Sequence, residues 1–294
     1  MTYRILVALD GSGAAEAALG EVERIVGGGA GVHFLSVVPT LPRSGDVTSA
    51  EVLVGHDRAL SQLRVLRERF PDVRGLDHIR TGRPAEAILQ AALEFDIHLI
   101  AMGTSNRTGG GVGTPGSVAE EVLQKARIPV LLKRPGGSPI PPTLRRILVP
   151  LDGSVESLSI LPTVKTLAVR LGAEVVFLHV PEGTLAPLPA SAVPAEVRVP
   201  VDPEQKLLAL ADLLGRSHAV FWQTVGQGDA AEEILEHAKT LDADLIAMST
   251  QAVEDAAASV VGTVALAILE RTDRAILLQR PMLRPMVSNA WKYQ

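Results

Sequence analysis

An internal repeat constrains the fold of this chain more than any other feature of its sequence. The segment RILVALDGS at 4–12 returns as RILVPLDGS at 146–154, and VLLKRP at 130–135 returns as ILLQRP at 276–281. The offset between matched segments grows only from 142 to 146 residues along the chain. Because a repeat of this length is the size of a domain, the 294 residues contain two copies of one domain joined head to tail. We predict a first domain at 1–135, a linker rich in glycine and proline at 136–144, a second domain at 145–282 and a tail at 283–294.

Each copy alternates short apolar runs with segments of helical spacing. The apolar runs are continuous, which is typical of strands buried on both faces in a parallel sheet covered by helices. In the first copy we predict strands at 5–9, 32–38, 73–79, 99–102 and 130–132, and helices at 14–26, 51–70, 84–94 and 118–126. This order predicts an α/β fold made of two tandem doubly wound domains, each with a parallel five-stranded sheet. Ligands of such domains lie beyond the carboxyl ends of the strands.

The composition excludes several classes of partner and site. The chain has no cysteine, so disulfides, thiolate metal sites and cysteine nucleophiles are excluded. A net charge of -5 argues against nucleic acid as a partner. No apolar run reaches the about 20 residues that a membrane-spanning helix needs, and the first residues lack the pattern of a secretory signal. We therefore expect a cytoplasmic protein without a membrane span.

A glycine-rich segment, MGTSNRTGGGVGTPGSV at 102–118, lies between an apolar run and a helical segment. Glycines let the backbone approach a ligand closely, and the helix that follows presents free N–H groups and a positive dipole end. Phosphate is the natural ligand of such a site, with the Ser117 hydroxyl as a further donor and Arg107 as a nearby cation. The alternative is a mobile surface loop in which Ser117 only caps the helix.

Asp10 ends the first strand and opens the segment DGS, which the second copy repeats at Asp152. Such an acid can accept hydrogen bonds from a ribose or an amino group, or reach a metal ion through water. In the alternative interpretation it caps the following helix together with Ser12.

Generic catalytic motifs are missing from the sequence. There is no Gly-Lys pair for a P-loop, and the one GxGxxG, at Gly111, Gly113 and Gly116, neither follows the first strand nor precedes an acid at the spacing of a dinucleotide site. The seven histidines lack metal-ligand spacing, and no nucleophile elbow occurs. We therefore predict no catalytic and no metal-ligating residue.

The segments ALDGS, FLSVV and MGTSNRTG…GSVAEEVL together resemble the universal stress protein family, and the resemblance extends over each copy. It implies an adenine nucleotide alpha hydrolase-like fold, with the two copies paired through their last strands as an intramolecular pseudo-dimer related by a pseudo-two-fold axis. Pairing of two chains into a homodimer stays open. ATP-binding members carry G-x2-G-x9-G-[S/T], which corresponds to Gly103, Asn106, Gly116 and Ser117. Asn106 departs from the family glycine, although asparagine tolerates a left-handed backbone better than most residues.

The resemblance assigns two groups of nucleotide-binding residues in the first copy. Those that match the adenosine side are Ala8, Asp10, Val37 and Met102. Those that match the phosphate side are Gly103, Asn106, Gly116, Ser117 and Val118.

The second copy has a degenerate version of the same motif. The motif positions there are Ser249, Ala252, Gly262 and Thr263. Glu254 and Asp255 also enter this loop, and a carboxylate about 6 Å from a phosphate costs on the order of 1 to 3 kcal/mol at an effective dielectric constant of 20 or higher. We predict a weaker or different site there, formed by Asp152, Val180, Gly262 and Thr263.

Together these features favour a stress-response protein that binds ATP, with or without Mg²⁺, mainly in its first copy. It would act as a binding or switch module and not as a fast enzyme, with slow ATP hydrolysis left open. Two alternatives remain from the sequence alone. One is a nucleotide-independent scaffold or interaction protein, and the other is an adenylate-using enzyme.

Overall fold

The computed structural model describes residues 2–13, 15–27, 29–40, 49–70, 75–104, 117–136, 142–152, 154–179, 220–224, 229–250 and 262–281. The strands within these residues are β1 (Arg4–Leu9), β2 (Gly31–Pro39), β3 (Gly75–Gly82), β4 (Leu99–Gly103), β5 (Val130–Lys133), β6 (Arg146–Leu151), β7 (Glu174–His179), β8 (Val220–Thr224), β9 (Leu245–Ser249) and β10 (Ala275–Gln279). The α-helices within them are α1 (Leu19–Val26), α2 (Ser49–Arg69), α3 (Pro84–Glu94), α4 (Ser117–Lys125), α5 (Val155–Leu158), α6 (Leu161–Leu171), α7 (Ala230–Thr240) and α8 (Thr263–Arg271). The predicted tail at 283–294 lies outside the described residues.

All ten strands form one sheet in the order β3-β2-β1-β4-β5-β10-β9-β6-β7-β8. Neighbouring strands within each copy are parallel, and the order β3-β2-β1-β4-β5 returns as β8-β7-β6-β9-β10. The last strands of the copies, β5 and β10, pair antiparallel with Leu131 opposite Leu277. The predicted fold class, five parallel strands in each copy and pairing through the last strands, is therefore confirmed. The domain boundaries stay a prediction.

The strands β1, β2, β4, β5, β6, β7, β9 and β10 are buried on both faces over most of their length, as their continuous apolar runs predicted. One face of β1 carries Ile5 and Val7, which pack in a cluster with residues of α1, α2 and α6. The other face carries Leu6 and Ala8, which pack with residues of α3, α4, α7 and α8. Helices thus cover both sides of a sheet that passes without a break from one copy to the other.

Two local differences from the predicted elements have simple physical causes. The helix predicted at 14–26 starts as a 3-10 turn at Ala15–Ala18, and its first free N–H, on Ala15, donates to the Ser12 hydroxyl at 3.1 Å. The third strand begins at Gly75 and runs to Gly82, where 73–79 was predicted. It is an edge strand with a half-exposed face, so its apolar pattern is weak.

Buried charges connect the first copy to the start of the second. Arg24 in α1 donates to Glu21 at 2.8 Å, to the Thr143 carbonyl at 2.8 Å and to Asp244 at 2.5 Å. Asp244 also accepts the backbone N–H groups of Arg145 and Arg146, at 2.8 and 2.9 Å. The side chains of Arg24, Glu21 and Asp244 are all buried. This buried ion cluster satisfies its carboxylates through partners from both copies.

The pseudo-symmetric side of the same interface is aromatic. Arg170 of the second copy lies over the ring of Tyr3, 5.0 Å from its centroid, and Tyr3 in turn contacts His98. Burial raises the pKa of Tyr3 to about 12, although the nearby Arg170 charge acts to lower it. His98 holds the position that Asp244 holds in the second copy, and it accepts the backbone N–H of Arg4 at 3.2 Å. The interface is therefore chemically asymmetric despite the repeat.

A histidine pair packs against Phe95 in the first copy. His33 Nδ1 lies 3.1 Å from His78 Nε2, and the rings of both stack on that of Phe95. Burial lowers the pKa of His33, and the charges of His78 and Arg4 add to the effect. Burial also lowers the pKa of His78, as does Arg80, against the opposing charges of Asp77 and Glu94.

The lowered pKa values of His33 and His78 predict a loss of stability in mild acid. Between the folded pKa values and the ordinary value of 6.5, the unfolded chain binds more protons than the folded one. The free energy of unfolding should therefore fall as the pH drops below 6.5. Urea unfolding between about pH 7 and 5.5, the range in which ordinary histidine titrates, measures this slope. His78→Gln should flatten it, and an equal slope in that variant would contradict the prediction.

Candidate functional site

The carboxyl ends of three neighbouring strands form the rim of the predicted site in the first copy. In the parallel register Ala8 of β1 lies opposite Leu35 of β2 and Met102 of β4. The residues after these positions therefore leave the sheet at the same edge. Asp10 follows β1, Val37 lies near the end of β2, and Gly103 ends β4. The structure thus brings these predicted residues to one edge, as doubly wound folds require.

A tight turn holds Asp10 at this rim. The backbone N–H and the hydroxyl of Ser12 both donate to Asp10 Oδ1, at 2.9 and 2.7 Å. Gly11 between them has a φ of 78°, which only glycine adopts without strain. Ser12 caps the following turn, while the Asp10 carboxylate accepts only from Ser12 and stays exposed to solvent, so a ligand role for Asp10 stays a prediction.

The predicted adenosine side has an apolar floor on one face of the sheet. Ala8 and Met102 are buried in the cluster that contains α3 and α4, and Val37 and Val118 pack against the same cluster. Residues from β1, β2, β4 and α4 thus converge on one surface. A flat apolar floor with an acid at its edge suits a nucleoside, whose base is apolar on its faces and whose ribose carries hydroxyl donors.

The phosphate side is described at its two ends. Gly103 ends β4 and is half-buried, and Ser117 begins α4 with its side chain exposed. Val118, the second residue of α4, packs inward. The helix therefore starts at the edge where Asp10 lies, with its first N–H groups and positive dipole end there. Asn106 and Gly116 lie outside the described residues.

Thr104 is a candidate site residue that the sequence interpretation did not name. Its backbone N–H donates to the Lys133 carbonyl at 2.9 Å, which extends the pairing of β4 with β5 by one residue. Its hydroxyl is buried and makes no hydrogen bond to any residue that the structure describes. A buried hydroxyl without a partner costs free energy, so this oxygen is a candidate for a ligand contact. Its position directly after Gly103 was the available signal.

The second copy repeats the acid turn in a more buried form. Asp152 Oδ1 accepts the backbone N–H of Ser154 at 2.8 Å, and the Ser154 hydroxyl caps α5 by accepting the Ser157 N–H at 3.1 Å. Burial acts to raise the pKa of Asp152, but hydrogen bonds from Ser154 and Ser157 outweigh it and hold the pKa below its usual range. Asp152 is half-buried and remains ionised at neutral pH.

A cavity of about 80 Å³ lies beside this acid, lined by Asp152, Met248, Thr250, Gly262 and Thr263 among others. Three of the four predicted second-site residues therefore share one cavity, and the fourth, Val180, lies outside the described residues. The Thr250 hydroxyl, which corresponds to that of Thr104, lies 3.4 Å from the Gln279 carbonyl that also accepts the Thr250 N–H. The corresponding hydroxyls of the two copies thus have different surroundings.

None of the helices described here is both long and apolar enough to cross a membrane. No three histidine, aspartate or glutamate side chains in the described part of the chain form a group that could hold a metal ion.

Comparison with known sequences gives a match in both halves of the chain. The model of the Universal stress protein family matches residues 1–134 and 143–280. Among curated sequences, the universal stress protein E homolog of Haemophilus influenzae is 29% identical over 100 residues, which are 32% of this chain and 32% of that protein. The match thus spans about a third of the length of that relative.

Comparison with solved structures covers nearly the whole chain. A universal stress protein from Archaeoglobus fulgidus superposes with a TM-score of 0.72 at 17% identity, over 95% of this chain and 96% of its own. A putative universal stress protein from Pseudomonas aeruginosa superposes with a TM-score of 0.60 at 20% identity, over 95% and 94%. At these identities the likeness shows the fold, including the tandem arrangement of its two halves.

Proposed function

Because the chain belongs to the universal stress protein family, with both halves matching the family model, we propose that its first copy binds ATP. In this proposal the protein is a cytoplasmic stress-response module whose ordering by the nucleotide is recognised by a partner. ATP serves as a ligand that shifts a conformational equilibrium and is not turned over rapidly.

The observation that carries the proposal is the convergence at one sheet edge of an exposed acid, an apolar floor and a helix start. Asp10 follows β1 with an exposed carboxylate, Ala8 and Met102 belong to the apolar floor, and Ser117 begins α4 at the same edge. In the proposal these groups hold the ribose, the base and the phosphates. These are the groups that a nucleotide needs, in the order base, sugar, phosphate.

The hydrogen-bond donors described on the phosphate side also suit an anion. The Thr104 hydroxyl is a buried oxygen that has no partner among the described residues, and the Ser117 hydroxyl is exposed at the first turn of α4. Both hydroxyls donate readily to phosphate oxygens, and the dipole of α4 adds to the attraction. Mg²⁺, when bound with ATP, would neutralise part of the phosphate charge, and Asp10, directly after β1 at the same sheet edge, would hold its water shell.

In the same proposal, the second copy binds ATP weakly or binds a different ligand. Its motif replaces Gly103 by Ser249 and places Glu254 and Asp255 in the loop. Asp152 lies beside a cavity of about 80 Å³, so the second copy keeps the acid of the adenosine side while its phosphate side is changed. A neutral or smaller ligand fits this site better than a triphosphate.

Isothermal titration calorimetry of the full chain with MgATP tests the proposal. We expect one ATP bound per chain. At a free MgATP concentration of about 100 times the Kd, the free energy of unfolding should rise by about 2.7 kcal/mol. Adenine nucleotide should also appear in the supernatant after denaturation of freshly purified protein. The absence of both a binding isotherm and any thermal shift with MgATP would overturn the proposal.

A second candidate function is a nucleotide-independent interaction protein, and α2 supplies its observation. Four large apolar side chains on this helix are exposed, Leu53, Val54 and Val65 by about two thirds of their surface and Leu60 by 46%. Exposed apolar residues grouped on one element are typical of contact surfaces. If the protein works in this way, binding of its partner should be unchanged by ATP.

A further inference from the structure

Two arginines cross the interface between the copies in a reciprocal arrangement. Arg134 directly follows β5, and its guanidinium donates to the backbone carbonyl of Glu270 in α8. Arg280 directly follows β10, and its guanidinium donates to the backbone carbonyl of Gln124 in α4. Each copy therefore sends one arginine to the carboxyl-terminal end of a helix in the other copy.

These contacts are favourable for a general reason. The last carbonyls of a helix lack partners within the helix, and the negative end of the helix dipole attracts a cation. A guanidinium that donates to such a carbonyl satisfies both requirements. Gln124 and Glu270 each lie in the last turn of their helix, so both arginines meet these conditions.

The helix that Arg280 holds is the one that begins at the proposed phosphate site. α4 has nine residues, which corresponds to a length of about 13 Å. A helix this short moves nearly as a rigid rod, so a fixed point at Gln124 limits the movement of Ser117 at the other end. We propose that Arg280 of the second copy is a positioning residue for the nucleotide site of the first. The inference rests on the proposed function, because it assigns a role in that site.

The strand end that carries Arg280 is itself firmly held. Gln279, the preceding residue, is buried, and its side chain accepts the Thr163 hydroxyl at 2.6 Å and donates to the Ser159 carbonyl at 3.2 Å. Its backbone carbonyl accepts the N–H of Thr250 at 2.8 Å. The guanidinium therefore extends from a fixed base in the second copy, as a residue that positions a helix must.

The repeat supplies a matched control, because Arg134 makes the equivalent contact to the opposite helix. Arg280→Met should weaken binding of MgATP by about three- to fivefold, the upper part of the range expected for a charge at one end of a helix. Arg134→Met removes the same kind of contact across the same interface, but that contact holds α8 of the second copy. The Kd of this variant for MgATP should therefore stay within about twofold of wild type. Arg280→Lys keeps a donor and a cation and should restore part of the lost affinity.

Calorimetry with MgATP, together with thermal melts of each variant without nucleotide, separates the outcomes. We expect similar melting temperatures for Arg280→Met and Arg134→Met, with a weaker Kd only in the former. Equal Kd values in Arg280→Met and wild type, or equal weakening in both methionine variants, would overturn the positioning role while ATP binding stands. A wild-type chain that binds no ATP would instead overturn the proposed function, and this role with it.

Discussion

Replacing Arg24 with methionine lowers the free energy of unfolding by about 3–5 kcal/mol, the range measured when one partner of a buried ion pair is removed. The reason is that two buried carboxylates would be left without their cation. Glu21 and Asp244 lose the guanidinium that now lies 2.8 and 2.5 Å from their oxygens, and both carboxylates stay buried. The Thr143 carbonyl also loses a donor. Methionine fills much of the volume but neutralises neither charge.

A neighbouring surface pair provides the control for this prediction. Arg69 contacts Glu23 at 2.5 Å, but both side chains are more than two fifths exposed, so water replaces the lost partner. Arg69→Met should cost only about 0–1 kcal/mol. Urea unfolding of the two variants at the same pH measures the difference. A loss in Arg24→Met no larger than that in Arg69→Met would show that the buried cluster contributes little to joining the copies.

Much of the fold could be predicted because the repeat and the apolar runs act locally. Helix α3 occupies 84–94 as predicted from its helical spacing, which starts at Pro84, and the structure adds that Asp96 after its end has a left-handed φ of 50°. The second copy repeats this ending at Asp242, with a φ of 47°. The pairing of β5 with β10 followed from the family resemblance and not from any local pattern.

The contacts between the copies could not be predicted from the repeat. Arg24 corresponds to Thr166 in the second copy, whose hydroxyl donates to the Pro162 carbonyl of its own helix. Asp244 corresponds to His98, whose ring lies tilted against that of Tyr3 with the centroids 5.2 Å apart. Because the partners lie 220 residues apart and only one of the two pseudo-symmetric places is ionic, their pairing depends on how the domains pack. Arg280 was missed for the same reason, because its contact reaches a helix of the other copy. Thr104 lies inside the glycine-rich segment, but no pattern in the sequence marks its hydroxyl as buried without a partner.

The structure shows where most of the predicted site residues lie in the fold. Ala8, Asp10, Val37, Met102, Gly103, Ser117 and Val118 all lie at or next to one sheet edge, as parallel strands dictate. Their binding roles stay predictions, because position at an edge does not establish a ligand. The path of the loop through Asn106 depends on glycine conformations that no periodicity encodes.

Replacing Gly116 with valine is expected to weaken binding of MgATP about 100-fold or more, equivalent to about 2.7 kcal/mol. Gly116 directly precedes Ser117, which begins α4, so its backbone leads into the turn whose N–H groups face the proposed phosphate. A β-branched side chain at this position blocks the close approach of backbone and ligand that glycine permits. Calorimetry measures the affinity, and a thermal melt without nucleotide checks that the variant is folded.

The repeat again provides the matched variant, because Gly262 precedes Thr263 and α8 as Gly116 precedes Ser117 and α4. Gly262→Val should leave the affinity for ATP within about twofold of wild type, since the second copy is proposed to hold no triphosphate. The milder pair Ser117→Ala and Thr263→Ala should show the same order, with a clear loss only in the former. Equal losses at the two positions would mean that both copies bind ATP, and that the carboxylates at Glu254 and Asp255 do not repel it. A loss only in Gly262→Val would place the nucleotide in the second copy, beside Asp152.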